Sequence, residues 1–253
     1  MIFPYNFTYI ISYRHSIERL NNLRRVLEWA NGFSGAEVIV VEQDKHSTLK
    51  DINLNCRHIF VKTAMPFNKS WGFNIGLKAA NSGIIVFGDS DLVMDPQQFI
   101  ESVKMLNQYE MVNPYNSVID LNAQESQMNF AQISAISRPG RGETDIQKVP
   151  LCGGICIFRR EAIEKIGGWH EDFIGWGGED DFQSVKVKAF LTWHENAAKC
   201  YHLHHERVSP DMKWYQRNLQ LLQKLSGMSK DELRKVINNV VPKSGLKYKY
   251  DNF

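Results

Sequence analysis

The chain has 253 residues, 43% hydrophobic, 11% aromatic and 23% charged, a globular composition that excludes disorder, collagen and coiled coil. Lysine and arginine number 30 against 28 acidic residues, a formal charge of +2, so no global field marks nucleic acid as a partner. At roughly 150 residues per domain, the length fits one large α/β domain or one domain with an appendage.

The first elements alternate. Thr8 to Tyr13 is a β-branched and aromatic run, and Ser16 after it caps a helix whose apolar positions Ile17, Leu20, Leu23 and Leu27 recur at helical spacing. Asn31-Gly32 stops that helix, and Glu37 to Val41 reads as a strand buried on both faces of a parallel sheet. His58 to Lys62 predicts another strand, Lys69 to Ala80 a helix and Ile84 to Gly88 a further buried strand, an α/β order that puts ligands at the strands' carboxyl ends. Asp95-Pro96 opens a helix over Gln97 to Gln108.

Arg138 to Lys148 has glycine, proline and charge without apolar period, and reads as a loop that orders over a ligand. Regularity returns over Gly153 to Phe158, Arg160 to Ile166 and Phe182 to Phe190. Ser209 to Leu225 and Ser229 to Val240 read as terminal helices, the second with a capping box between Ser229 and Glu232. Lys243, Lys247 and Lys249, interleaved with Tyr248 and Tyr250, form a basic tail, read as a frayed terminus or as a peripheral contact for anionic lipid or an acidic acceptor.

Cys56, Cys152, Cys156 and Cys200 form no C-x-x-C pair or zinc-ribbon spacing, so reduced buried thiols are expected. The opening residues lack a basic n-region and their apolar stretch is interrupted by Asn6; no run approaches the roughly 18 apolar residues of a membrane span. These features predict a reducing cytoplasm.

Chemistry concentrates in three places. Asp89-Ser90-Asp91 follows an apolar strand, where residues i and i+2 share a face, so two carboxylates converge on one divalent cation, Mg²⁺ or Mn²⁺. Trp176-Gly177-Gly178-Glu179-Asp180-Asp181 combines glycines that admit close approach, an indole that stacks on a sugar ring, and clustered carboxylates whose pKa rises toward a general base's range. The cluster His202, His204, His205 offers imidazoles for Mn²⁺, with His202 and His204 on one side of a strand. Arg14 and Lys69 are cations at strand ends, where a diphosphate would sit, and Gly153-Gly154 permits close backbone packing.

In this order the motifs resemble those of GT-A glycosyltransferases, in particular the β-1,4-galactosyltransferase family and bacterial chondroitin-polymerase transferase domains. Ile10 to Arg14 resembles the nucleotide-binding first strand, with Ser12 in place of the usual proline. Phe67-Asn68-Lys69 with Asn74-Ile75-Gly76 resembles the F-N-R and N-x-G segment, Leu151 to Phe158 the glycine-pair strand, and Gly175 to Asp181 (GWGGEDD) the most specific signature.

The resemblance covers about residues 8 to 207 and implies a GT-A domain over 1–207, with a central, mostly parallel sheet flanked by helices, followed by a C-terminal helical extension over 208–253. It implies Asp180 as catalytic base with Glu179 beside it. Arg14, Phe67, Lys69, Asp89, Gly154 and Trp176 are implied as nucleotide-sugar contacts, and Asp89, Asp91, His202 and His204 as metal ligands, with His205 as the alternative register. The implied reaction moves a hexose or N-acetylhexosamine from a UDP-sugar to a saccharide or glycoconjugate hydroxyl with Mn²⁺ or Mg²⁺ and inversion; polypeptide N-acetylgalactosaminyltransferases share W-G-G-E but retain configuration. Rival readings are a metal-dependent hydrolase of nucleotide sugars and a catalytically silent binding module.

Overall fold

Strand β1 (Phe7–Tyr13) is buried along its whole length, and helix α1 (Ile17–Asn31) follows it with the Ser16 hydroxyl accepting from Arg19 N. The computed structural model describes residues 5–142, 153–206, 209–240 and 244–250. The chain continues through β2 (Ala36–Asp44), β3 (Arg57–Lys62), α2 (Lys69–Ala79), β4 (Ile84–Gly88), β5 (Leu92–Met94) and α3 (Pro96–Lys104). Then come β6 (Met111–Asn113), β7 (Ser117–Asp120), α4 (Phe130–Ser134), β8 (Cys156–Arg159), α5 (Arg160–Lys165) and α6 (Glu179–Phe190). The last elements are β9 (Trp193–Glu195), β10 (Lys199–His202), α7 (Met212–Ser226) and α8 (Lys230–Val240).

Seven strands form the main sheet in the order β3-β2-β1-β4-β8-β6-β9. β3, β2, β1 and β4 run parallel, so their carboxyl ends share one edge, while β8 runs antiparallel to both β4 and β6. The parallel strands bury apolar side chains on both faces. Tyr9 and Ile11 face a core with Leu23, Val26 and Phe99, whereas Ile10 faces another with Trp71, Phe73 and Phe87. The mixed α/β architecture, mostly parallel with helices on both faces, is the one expected.

Four short strands escape the sequence reading: β5, β6, β7 and β9, each of three or four residues, too short to show a period. The helix expected over Gln97 to Gln108 ends at Lys104 and tightens into a 3₁₀ turn over Met105–Asn107. Of the expected 138–148 loop, Arg141 pairs its backbone with Val118 of β7 in both directions, at 2.7 and 2.9 Å. Residues 143–148, Cys152 and Lys243 lie outside the described residues.

The frayed tail gives way to packing. Lys249 Nζ lies 2.7 Å from the buried Glu171 carboxylate, which also accepts from Gly245 N; Tyr250 packs edge-on to Trp71 and shares a hydrogen bond with Asn68 Nδ2 at 3.2 Å. A buried carboxylate needs such partners, and the tail supplies them. Among the described residues no helix is long and apolar enough to cross a membrane.

Candidate active site

A second, three-stranded sheet, β5-β10-β7, builds the metal centre. β10 runs antiparallel to β5 with His202 opposite Leu92, and parallel to β7 with His202 opposite Asp120. Leu203 N donates to Asp91 O at 2.7 Å, which sets the turn after β4 against the end of β10. Asp91, His202 and His205 therefore meet, each with a ligand atom within 4.8 Å of the others.

The chemistry of this set fits a divalent cation. His205 Nε2 lies 3.3 Å from one Asp91 oxygen and His202 Nε2 3.9 Å from the other. His202 Nδ1 lies 3.0 Å from the Asp120 carboxylate and His205 Nδ1 lies 2.9 Å from Glu206 O, a carbonyl that only accepts. Each ring is thus held at Nδ1 with Nε2 facing Asp91, so that a cation displacing the proton there would meet two imidazole nitrogens and the carboxylate. Arg141 grips Asp120 with two hydrogen bonds, at 2.7 and 3.0 Å. Burial acts to raise the Asp91 carboxyl, but the His205 hydrogen bond and the nearby His202 outweigh it and hold it below its usual range. Two imidazole nitrogens with a carboxylate oxygen suit Mn²⁺.

Two ligand expectations change. His204 is exposed and outside this group, because the strand ends at His202 and alternation ends with it; its backbone N–H donates to Ser126 Oγ at 2.7 Å while its side chain lines a cavity of about 280 Å³ with His202, His205 and Asp120. The group that the structure brings together contains His202 and His205. Asp89 also stands outside the group: the strand β4 ends at Gly88 and residues 90–91 form a turn, so strand alternation does not carry through from Asp89 to Asp91. His205→Ala is expected to weaken Mn²⁺ binding at least ~10-fold in calorimetric titration, whereas His204→Ala leaves it near the parent value; equal losses would restore the H-x-H register.

Asp89 instead joins a charged cluster with Lys69 and Asp180. Lys69, at the first turn of α2, places Nζ 3.0 Å from Asp89 Oδ1 and 3.3 Å from Asp180 Oδ1. Its side chain is 12% exposed and that of Asp180 33%. Burial pushes the Asp180 carboxyl up to about 8, with Glu179 and Asp89 adding to the rise and Lys69 opposing it. Asp180 sits in the first turn of α6 beside the backbone of Gly153, where a Cβ would lie 2.9 Å from its Oδ2. Gly154, with φ of 77°, lies against Tyr115, whose hydroxyl donates to Gly153 O at 2.8 Å and accepts from Ile155 N at 3.2 Å.

Glu179 is pushed up by burial, and its Oε2 is buried without a hydrogen-bond partner. Trp176 stands 63% exposed on a segment in which Gly175, Gly177 and Gly178 all take positive φ. Arg14 donates to Gln43 O and Met65 O, both at 2.8 Å, and its guanidinium sits 6.0 Å from the Phe67 ring. Phe67 O accepts from Gly175 N at 2.8 Å, tying this corner to the tryptophan segment. Two residues that support the candidate site escape the sequence reading: Asp120, whose only signal is an acid closing the short run Ser117–Asp120, and Arg141 beside it.

The chain matches two family models: that described as Glycosyl transferase family 2 over residues 12–167, and that described as the N-terminal domain of galactosyltransferase over residues 144–206. No curated protein matches it. Among solved structures it is similar to the catalytic domain of Drosophila β1,4-galactosyltransferase 7 in complex with xylobiose, with 15% identity and a TM-score of 0.54 over 90% of this chain and 83% of that one. It is also similar to S. aureus TarS 1-349 in complex with UDP-GlcNAc, with 13% identity and a TM-score of 0.55 over 96% and 72%. A third is GalNAc-T7 with UDP, GalNAc and Mn²⁺, with 13% identity and a TM-score of 0.56 over 98% and 56%. The likenesses carry the GT-A fold, and with the first model matched over more than half the sequence, the chain belongs to glycosyl transferase family 2.

Proposed function

We propose that this glycosyltransferase moves a hexose or N-acetylhexosamine from a UDP-sugar to a hydroxyl of a saccharide acceptor with inversion, and that Asp180 is the base. The observation that carries the reading is the Lys69 bridge, which sets the base candidate beside the segment leading to the Asp91–His202–His205 group. TarS with UDP-GlcNAc and GalNAc-T7 with UDP, GalNAc and Mn²⁺ share the fold and support a UDP-sugar donor and a manganese site.

In this mechanism Arg14 and Phe67 face the nucleotide, Lys69 and Asp89 the donor's diphosphate and ribose, and Trp176 and Glu179 the sugar and acceptor. Asp91, His202 and His205 would hold Mn²⁺, which when bound neutralises charge on the departing diphosphate. The ionised Asp180 carboxylate accepts the acceptor hydroxyl's proton as its oxygen attacks the anomeric carbon. Lys69 keeps that carboxylate oriented and its positive charge meets the negative charge developing on the diphosphate.

The proposal assigns residues 1–207 to the catalytic domain and 208–253 to a helical extension. It places the enzyme in a reducing compartment, the cytoplasm, in keeping with the free thiols of Cys56, Cys156 and Cys200. Within the basic tail, Lys249 is engaged by Glu171 and is taken out of any peripheral contact.

UDP release from a panel of UDP-sugars, measured with Mn²⁺ and with or without a panel of saccharide acceptors, tests the reading. Acceptor is expected to accelerate release at least ~10-fold, because transfer to water is the side reaction such a site suppresses. Fast release that ignores acceptor would favour the hydrolase instead.

A further inference from the structure

The expected boundary near residue 207 sets α7 apart from the catalytic domain, yet α7 is packed against the segment that carries Trp176. Asn218 is fully buried and its Nδ2 donates to Ile174 O at 2.9 Å and to Trp176 O at 3.3 Å. Arg217 donates to Asp172 O at 2.6 Å. The Tyr215 ring lies against the Trp176 indole, with centroids 5.4 Å apart and planes at 33°.

The glycines of the signature face the same helix. A Cβ on Gly177 would come within 3.0 Å of the Tyr215 ring, and one on Gly175 within 3.4 Å of Trp214 Cβ. A side chain at Gly177 would press on the Tyr215 ring, while one at Gly175 would only reach contact with Trp214. Gly177 therefore serves the approach of a helix as well as that of a ligand.

An indole left 63% exposed while an aromatic ring braces it is shaped for a ligand with an apolar face and polar edges, the chemistry of a pyranose ring. We propose that α7 is a wall of the acceptor site, with Tyr215 and Asn218 as positioning residues that hold the Trp176 indole for the acceptor ring. Naming that ring as the acceptor's rests on the transferase reading; the brace itself does not.

The test has two readouts. In steady-state transfer with Mn²⁺, Tyr215→Ala is expected to raise the acceptor KM ~10-fold while kcat and donor KM change less than about two-fold, and Tyr215→Phe, which keeps the ring, to restore the parent KM. An unchanged acceptor KM, or equal losses in every parameter, overturns the proposal. In amide exchange, Tyr215→Ala and Asn218→Ala are expected to speed exchange across residues 174–178 by ~10-fold and leave α1 at parent rates. Unaltered exchange overturns the proposal whether or not turnover is found. Accelerated exchange in a protein that releases UDP from no UDP-sugar would remove the transferase reading and support the brace.

Discussion

Asp180→Asn is expected to slow sugar transfer ~10²- to 10⁴-fold, the range over which a positioned general base acts, while donor and Mn²⁺ still bind. Asparagine keeps the shape and the hydrogen-bond reach of the side chain but has no basic oxygen. The parent's pH profile carries the complementary signature. With the Asp180 carboxyl pushed up to about 8 by burial, the competent ionised form grows as pH rises, so kcat/KM should climb toward a plateau above about 8. Single-turnover rates with saturating donor check the first expectation, and a plateau already reached near pH 5 would count against Asp180.

Stability distinguishes lost chemistry from a damaged fold. A carboxyl whose folded pKa lies above its unfolded value binds its proton more tightly when folded, so its contribution is favourable at low pH and is lost as pH rises through about 8. Above that pH the parent carries an ionised carboxylate that burial opposes, and asparagine removes it. The Tm of Asp180→Asn should equal or exceed that of the parent, with the gain growing from pH 5 to pH 9. A variant that loses activity and melts lower at pH 9 would make Asp180 a structural residue.

Local pattern reached some parts of this site and not others. β4 is legible to the residue, Ile84–Gly88, and so is the Ser16 cap, because a buried parallel strand and a helix start each declare themselves within a few positions. The Asp91–His202 meeting is not legible in that way. It depends on β5 pairing with β10 across more than a hundred residues, and β5 has three residues, too few for a period. Alternation does not decide the histidine register for a related reason: it holds only while the strand lasts, and β10 ends at His202. The same alternation points Asp89 at the cation, whereas the strand ends at Gly88 and the Asp89 carboxylate pairs with Lys69. The tail's basic residues carried no sign of Glu171, a buried acid more than seventy positions earlier. What local reading missed was long-range pairing of short elements and of single charges.

Lys69→Met is expected to cost ~10²- to 10³-fold in kcat/KM near pH 7, because it removes a preorganised cation from the diphosphate site and the counter-charge from the base. Burial alone would strip Lys69 of its proton, but Asp180, Asp89 and Glu179 together hold its pKa well above the usual lysine value, so the ammonium is charged across any assay range. Without it, Asp180 faces Asp89 and Glu179 with the bridging cation gone, and the rising limb of the pH profile should move alkaline by at least ~1 pH unit. The stability effect runs opposite to that of Asp180→Asn. Methionine leaves like charges confronting each other, so Tm should fall, more at pH 9 than at pH 5, where Asp180 holds its proton. In the double variant Lys69→Met/Asp180→Asn one of the facing charges is gone, and at pH 9 the Tm should recover by more than Asp180→Asn adds to the parent. Additive Tm changes across that cycle would mean that Lys69 and Asp180 do not interact and would dissolve the bridge on which the mechanism stands.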